Sequence, residues 1–273
     1  MSKVKKTPPR LLRVVKTQDL SPYLRRVVLT GESLSNFPVS SLGAHIKLML
    51  PQSHQISPVL PTLDGGKVVW PEPHLKPILR TYTVADFDPV LNLLSVDFVM
   101  HGDNGPASRW AHSAVVGSSI GVAGPGGPDL FQAQADWFVL AGDLSALPVI
   151  RAVLSQLPKN ARGYAFIEVA DLSAHQPLPH PMGMHISWLN RKSQPAGQSQ
   201  LLLQAVKNMS WLEGVASATI AGESSQVVLI RDYLRIDKQL SRDMMYAVPY
   251  WKDEQTEEEY HQERHLIMDG LEA

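Results

Sequence analysis

The sequence predicts two domains of different class, an N-terminal antiparallel β-barrel followed by a parallel α/β domain. Three observations predict them. The first half carries short β-branched runs punctuated by Pro, Gly, Asn or Asp. The second half alternates such runs with helical ones. The change of rhythm falls after "GPGGPDLFQAQ" (124–134), which places the boundary near residue 133, with domains 1–132 and 133–273. A chain of 273 residues has room for two domains of roughly 100–200 residues each.

The expected barrel strands are 11–18, 24–31, 44–51, 66–70, 79–87 and 91–100. Short strands at this spacing suit a small antiparallel barrel. Residues 53–66, "SHQISPVLPTLDGG", have no apolar period and are expected to form a long loop. One helix, 106–115, interrupts the barrel, with Pro106 in its first turn and Asn104 as its cap. In the second domain, strands are expected at 136–143, 163–170, 184–190, 215–223 and 244–251. Helices are expected at 145–157, 197–209 and 224–235, the first with Ser145 near its cap, and a further helix ends the chain. Strands separated by helices imply a parallel sheet with helices on both faces.

Composition narrows the function classes. With 44% hydrophobic and 19% charged residues the chain reads as a globular protein. A net charge of -1 supplies no global field toward nucleic acid or membrane. The start, "MSKVKKTPPR", lacks the apolar stretch of a secretory signal, and Lys3, Lys5, Lys6 and Arg10 read as a solvated tail. No apolar run approaches the ~18 residues of a membrane helix. Cysteine is absent, which excludes disulfides, thiolate metal sites and thiol nucleophiles, and a cytoplasmic location is expected.

Three stretches carry the candidate chemistry. In "LRTYTVADF" (79–87), Arg80 and Tyr82 project to one face of the strand and Thr83 to the other. A guanidinium forks onto phosphate oxygens and a phenol offers an aromatic plane, so the face suits a ligand with a phosphate and a flat ring. An edge strand with a solvated arginine is the plainer alternative. "VDFVMHGDNGPASRWA" (96–111) runs strand, turn, helix, and a helix start presents free N–H groups to an anion. Asp97, His101, Ala107 and Ser108 therefore sit where a diphosphate and its sugar or base would lie, unless the junction is simply a capped helix. "VLAGDLSALP" (139–148) is a second strand-to-helix turn with Gly142, Asp143 and Ala146, a degenerate relative of glycine-rich dinucleotide loops.

The order "RTYT", "DFVMHGDNGPASRWA", "AGDLSALP", "AGE" (221–223) and "YWKDEQTEEEYHQER" (250–264) resembles the siderophore-interacting protein family. These are FAD-dependent ferric-siderophore reductases of the ferredoxin-reductase superfamily, and the resemblance covers nearly the whole chain. It implies a flavin-binding barrel followed by a nucleotide-binding α/β domain. It places Arg80 on the FAD phosphates, Tyr82 against the isoalloxazine and Thr83 near its reactive edge. Thr81, Asp97, Val99, His101, Ala107 and Ser108 would complete the FAD site. Lys47 of "AHIKLML" looks like the lysine that faces the anionic ferric siderophore, helped by Lys252. Two departures fall on substrate contacts: "YWKDE" stands where "YWRRG" is usual, so Asp253 replaces one positive charge. "GPGG" (124–127) also lacks an arginine often found after that proline.

The implied chemistry needs a flavin because nicotinamides deliver electrons in pairs while Fe³⁺ accepts one. NADH, NADPH and reduced ferredoxin all remain open as donors, and a monomer is expected. A general NAD(P)H:flavin or ferredoxin-type reductase and a non-catalytic flavin-containing siderophore carrier are the rival readings. Two further features are set aside: His261 and His265 of "HQERH" have zinc-motif spacing, but Gln262 stands where that motif requires Glu. Trp110 and Trp137 read as core residues. On strand 44–51, alternation puts His45, Lys47 and Met49 on one face and Ile46, Leu48 and Leu50 on the other.

Overall fold

A computed structural model describes residues 7–101 and 105–269, apart from the side chains at 261, 265, 268 and 269. Asn104 and the lysines at 3, 5 and 6 therefore lie outside the described residues, as do both histidine side chains of "HQERH". The chain divides into two units, 1–127 and 128–273.

The first unit is a closed barrel. Its strands are β1 (Arg10–Ser21), β2 (Leu24–Thr30), β3 (His45–Leu50), β6 (Ile78–Asp88), β7 (Leu93–Val99) and β8 (Ser119–Gly126), joined antiparallel in the order β1-β2-β7-β6-β3-β8. Alternation drives the closure: Leu12, Val14, Ile46, Leu48, Val96 and Val122 point inward and are buried, while Leu11 and Arg13 face outward. Helix α1 (Pro106–Ser113) adds Ala107 and Ala111 to this core, and Ala114 follows them. Their i, i+4, i+7 spacing and small side chains let the helix lie close against the strands.

Two expectations fail here. Residues 66–70 are not a barrel strand. Instead β4 (Thr62–Asp64) and β5 (Lys67–Val69) form a separate two-stranded ribbon, part of it within the stretch expected to be loop. The sixth barrel strand is β8, "SIGVAGPG", which is not among the expected strands. Its glycine content has a packing cause, because a Cβ on Gly121 would lie 2.3 Å from Leu60 Cδ2 and 2.8 Å from Met49 Cβ. The cap of α1 is Gly105, with no side-chain hydrogen bond.

The second unit is a five-stranded parallel sheet in the order β11-β10-β9-β12-β13. Its elements are β9 (Trp137–Asp143), α2 (Leu147–Gln156), β10 (Arg162–Val169), β11 (Gly183–Asn190), α3 (Leu201–Asn208), β12 (Ala216–Glu223), α4 (Ser224–Ile236), β13 (Met245–Trp251) and α5 (Glu257–Asp269). The central strands β9 and β12 are buried along their whole length, as a strand covered on both faces must be. The chain lays β10 and β11 to one side of β9, then returns to place β12 on the other. The carboxyl ends of β9 and β12 thus flank a topological switch point, the usual ligand crevice of such sheets. No described helix is long and apolar enough to cross a membrane.

Helix boundaries shift for local reasons. The expected helix 145–157 begins as a 3-10 turn at 144–146, and its cap is Asp143 rather than Ser145. The expected helix 197–209 shortens to α3, because Ser199 gives its hydroxyl to Glu168 and receives Leu201 N–H.

Candidate functional site

The barrel registers sort the candidate residues onto two faces. Arg80 pairs with Leu48 and Tyr82 with Ile46, so both share the face that carries the core. Tyr82 packs on Phe98 at 4.6 Å between ring centroids, and Phe98 packs on Trp110 of α1 at 5.7 Å. The strand face and the helix therefore meet through an aromatic ladder. Ala107 and Ser108, in the first turn of α1, are buried at that junction, and Ser108 Oγ accepts from His101 N–H at 3.4 Å. Arg80 Nη1 donates to Leu79 O at 2.8 Å, which turns its guanidinium back along the strand.

The remaining candidates occupy the opposite face. Thr81 pairs with Lys47 and Thr83 with His45. Lys47 Nζ donates to the Thr81 hydroxyl. The imidazole of His45 lies over Gly126 and Gly127, where a Cβ on Gly127 would come within 2.8 Å of Nδ1. Asp97 and Val99 also lie on this face, since Val96 and Phe98 point inward. Asp97 is held by Arg26, its cross-strand neighbour, through bonds of 2.6 and 2.9 Å. This pair drives the Arg26 pKa upward, chiefly through the hydrogen bond to Asp97. Asp97 thus ties β2 to β7.

The alternation of β3 is as expected, with Ile46, Leu48 and Leu50 in the core and Lys47 outside it. Of the two tryptophans, Trp137 is fully buried, whereas Trp110 is only partly so.

At the switch point, all three loop candidates have packing or capping work. A Cβ on Gly142 would lie 2.5 Å from both Ala146 Cβ and Ala221 O, and Ala146 is itself fully buried. Asp143 Oδ1 accepts from Ser145 N–H and O–H at 2.8 and 2.6 Å. Its Oδ2 accepts from Glu223 N–H and Trp251 Nε1–H, both at 2.8 Å. One carboxylate thus joins the ends of β9, β12 and β13.

A second cluster beside it was not anticipated. Glu168, at the end of β10, accepts from Ser199 Oγ at 2.6 Å and Gln226 Nε2 at 3.0 Å, with Arg191 Nε at 3.6 Å. Its partners lie 31 and 58 residues away, so no local signal announces them. Burial raises the pKa of Glu168 and of Glu223, against the hydrogen bonds each accepts.

The folded protein therefore keeps these protons to higher pH than the unfolded chain does. Stability is greatest below the unfolded carboxyl pKa and declines as pH rises through the folded value. Glu168→Gln should flatten that decline and raise Tm at neutral pH by about 2–4 °C, the equivalent of about 1 kcal/mol. An amide there can accept from Gln226 Nε2 with its oxygen and offer its NH₂ to the Ser199 hydroxyl oxygen. Melting curves between pH 5 and 8 test this, and a slope identical to the parent's would rule Glu168 out.

Lys252 differs from expectation in its surroundings. Its Nζ is paired with Glu263 at 2.5 Å, and it lines a small hollow with Glu223, Asp253 and Glu254. The neighbourhood is acidic, not cationic.

Comparison with known proteins decides the family. A family model described as "Siderophore-interacting FAD-binding domain" matches residues 13–129, and one described as "Siderophore-interacting protein" matches 135–254. Ferric vibriobactin reductase ViuB of Vibrio cholerae is 43% identical over 270 residues, covering 98% of each chain. The chain belongs to the siderophore-interacting protein family. The NADPH-dependent ferric-chelate reductase of Escherichia coli is 32% identical over 212 residues, 75% of this chain and 81% of that one. The crystal structure of the siderophore-interacting protein SipS from Aeromonas hydrophila superposes with a TM-score of 0.85 at 37% identity, over 96% of this chain and 98% of that one.

The residues present fit the FAD that the first family model names. A guanidinium, an aromatic face and a helix start without a capping side chain lie on one side of the barrel. Small residues follow at 107 and 108, which leaves the backbone N–H groups of the helix start open to an anion such as a diphosphate.

Proposed function

We propose that this protein reduces ferric siderophores with a flavin, acting as a cytoplasmic monomer with a reduced nicotinamide as donor. The observation that carries the reading is that Arg80 and Tyr82 share one face of the barrel, which meets α1 through Phe98 and Trp110. Arg80 and the first-turn N–H groups would hold the diphosphate, while Tyr82, braced by Phe98, would set the plane of the ring system. Bound FAD supplies the step from a hydride pair to single electrons that Fe³⁺ requires. The siderophore brings its own iron ligands, so the protein's task is to attract and orient an anionic chelate. Absence of cysteine suits a reducing compartment.

Lys47 is the cation proposed to attract the chelate, with its ammonium oriented by Thr81. Lys47→Ala should raise KM for an anionic ferric chelate roughly fivefold, the effect of about 1 kcal/mol from one partly exposed charge. The difference should shrink as salt rises, because charges are screened beyond ~8 Å at physiological ionic strength. Lys252→Ala should change KM little, since Glu263 already neutralises that charge. Equal losses for neutral and anionic chelates in Lys47→Ala would assign Lys47 to the fold instead.

The deciding experiment is anaerobic mixing of the purified protein with NADH, NADPH or reduced ferredoxin, then with ferric chelates and an Fe²⁺ indicator. The reading expects the flavin absorbance to fall with a nicotinamide and to return with Fe²⁺ release. Loss of absorbance with ferredoxin alone would overturn the donor assignment. Binding of chelate without Fe²⁺ release would make the protein a carrier.

A further inference from the structure

We propose that His45 is a second contact for the ferric chelate beside Lys47, its imidazole held in place by the glycine-rich segment 124–127. The inference rests on the reductase reading above, and every residue in it belongs to the first unit.

Position is the first argument. His45 pairs with Thr83 and Lys47 with Thr81, so the four share one face of β3 and β6. His45 and Lys47 stand two residues apart on one strand, about 7 Å at ~3.4 Å per residue. His45 is exposed and Lys47 partly so, and a chelate drawn to the ammonium therefore meets the imidazole next. The oxygen ligands of such a chelate accept hydrogen bonds, and an imidazole keeps an N–H donor in either protonation state.

The seating of the ring is the second argument, independent of the first. An exposed side chain ordinarily moves among its rotamers within nanoseconds. The ring of His45 instead lies against backbone. A Cβ on Gly126 would come 3.4 Å from Nε2 and one on Gly127 2.8 Å from Nδ1, so a glycine underlies each nitrogen of the ring. Gly127 has a φ of 119°, which residues with a side chain rarely adopt. Beside it the ladder slips, since His45 pairs with Gly126 while Lys47 pairs with Ala123. Two residues of β8 thus oppose one of β3, a bulge of the kind that re-aims side chains beside active sites.

Arg10 anchors the other end of this segment. The sequence places it in a solvated tail, yet it is 8% exposed, and its Nη1 donates to Gly124 O at 2.8 Å and its Nε to Ser33 O at 2.9 Å. Gly124 lies in turn against β3, where a Cβ would come 3.3 Å from His45 O. A ring fixed before the ligand arrives loses little freedom on binding it.

The test uses the full-length flavoprotein with a neutral ferric tris-hydroxamate and an anionic ferric tris-catecholate as substrates. His45→Ala should raise KM for both by roughly three- to tenfold, the loss of one hydrogen bond, because the contact is with ligand oxygens and not with net charge. Flavin content, flavin reduction by the nicotinamide and the thermal melt should stay at the parent's values. His45→Gln keeps an N–H donor and should recover part of the loss. Gly127→Ala should raise KM as His45→Ala does and add nothing in the His45→Ala background, because it acts through the ring. Unchanged KM for both chelates in His45→Ala overturns the proposal. So does a loss confined to flavin content or flavin reduction, which would place His45 at the flavin. Additive losses in the double variant overturn the role given to the glycines. A parent protein whose reduced flavin neither chelate reoxidises overturns the reductase reading along with this one, whereas a competent parent with an indifferent His45→Ala overturns the contact alone.

Discussion

Asp143→Ala is expected to destabilise the second unit by about 3–7 kcal/mol, a large share of the ~5–15 kcal/mol typical of a folded domain. The reason is the number of donors one side chain satisfies. Its removal leaves Trp251 Nε1–H and Glu223 N–H without their acceptor, the first partly buried and the second fully so. Each such orphan costs about 1–3 kcal/mol. The turn at 144–146 also loses its cap, worth about 1 kcal/mol. Asp143→Asn should be nearly as damaging, because its NH₂ group would face donors on one side or the other. Gly222 confirms how closely the carboxylate is packed, as a Cβ there would lie 2.7 Å from Oδ2. Urea denaturation followed by tryptophan fluorescence measures the change. A parent-like midpoint together with lost nicotinamide-driven flavin reduction would instead make Asp143 a donor-binding residue.

Patterns that depend on near neighbours were legible in the sequence. Alternation placed Ile46, Leu48 and Leu50 in the core and Lys47 opposite them, and the buried run "DWFVLAGD" marked the central strand. The pairing of Arg80 with Tyr82 on one face also follows from a period of two. Features set by distant neighbours were not legible. β8 was not anticipated, because the missing Cβ at Gly121 answers to Met49 and Leu60, which lie far off in sequence. Asp97 stands out as a site candidate, but nothing near it in sequence shows that the register sets Arg26 beside it. Gly142 and Asp143 read as a dinucleotide loop, and only Ala221, Glu223 and Trp251 reveal their packing roles. The family resemblance supplied the function where local pattern stopped, and the matched models and relatives bear it out.

Arg80→Ala should have the largest effect on cofactor content, with FAD binding weakened about thirtyfold or more. That factor corresponds to about 2 kcal/mol, the lower end of what truncating one partner of a charge-assisted pair costs. The argument turns on geometry. Arg80 lies on the face of β6 that carries Tyr82, next to Leu48 across the sheet, and on the face opposite Lys47 and Thr83. A guanidinium forks onto two phosphate oxygens, whereas an ammonium meets them as a point charge. Arg80→Lys should therefore retain part of the affinity and Arg80→Ala little. The folded barrel should survive both changes, because Arg80 is only partly buried and outside the apolar cluster of the barrel. Flavin-to-protein absorbance ratios after purification, with a thermal melt as the folding control, give the measurement. Full flavin occupancy in a well-folded Arg80→Ala protein would move the diphosphate off this strand and onto the helix start alone.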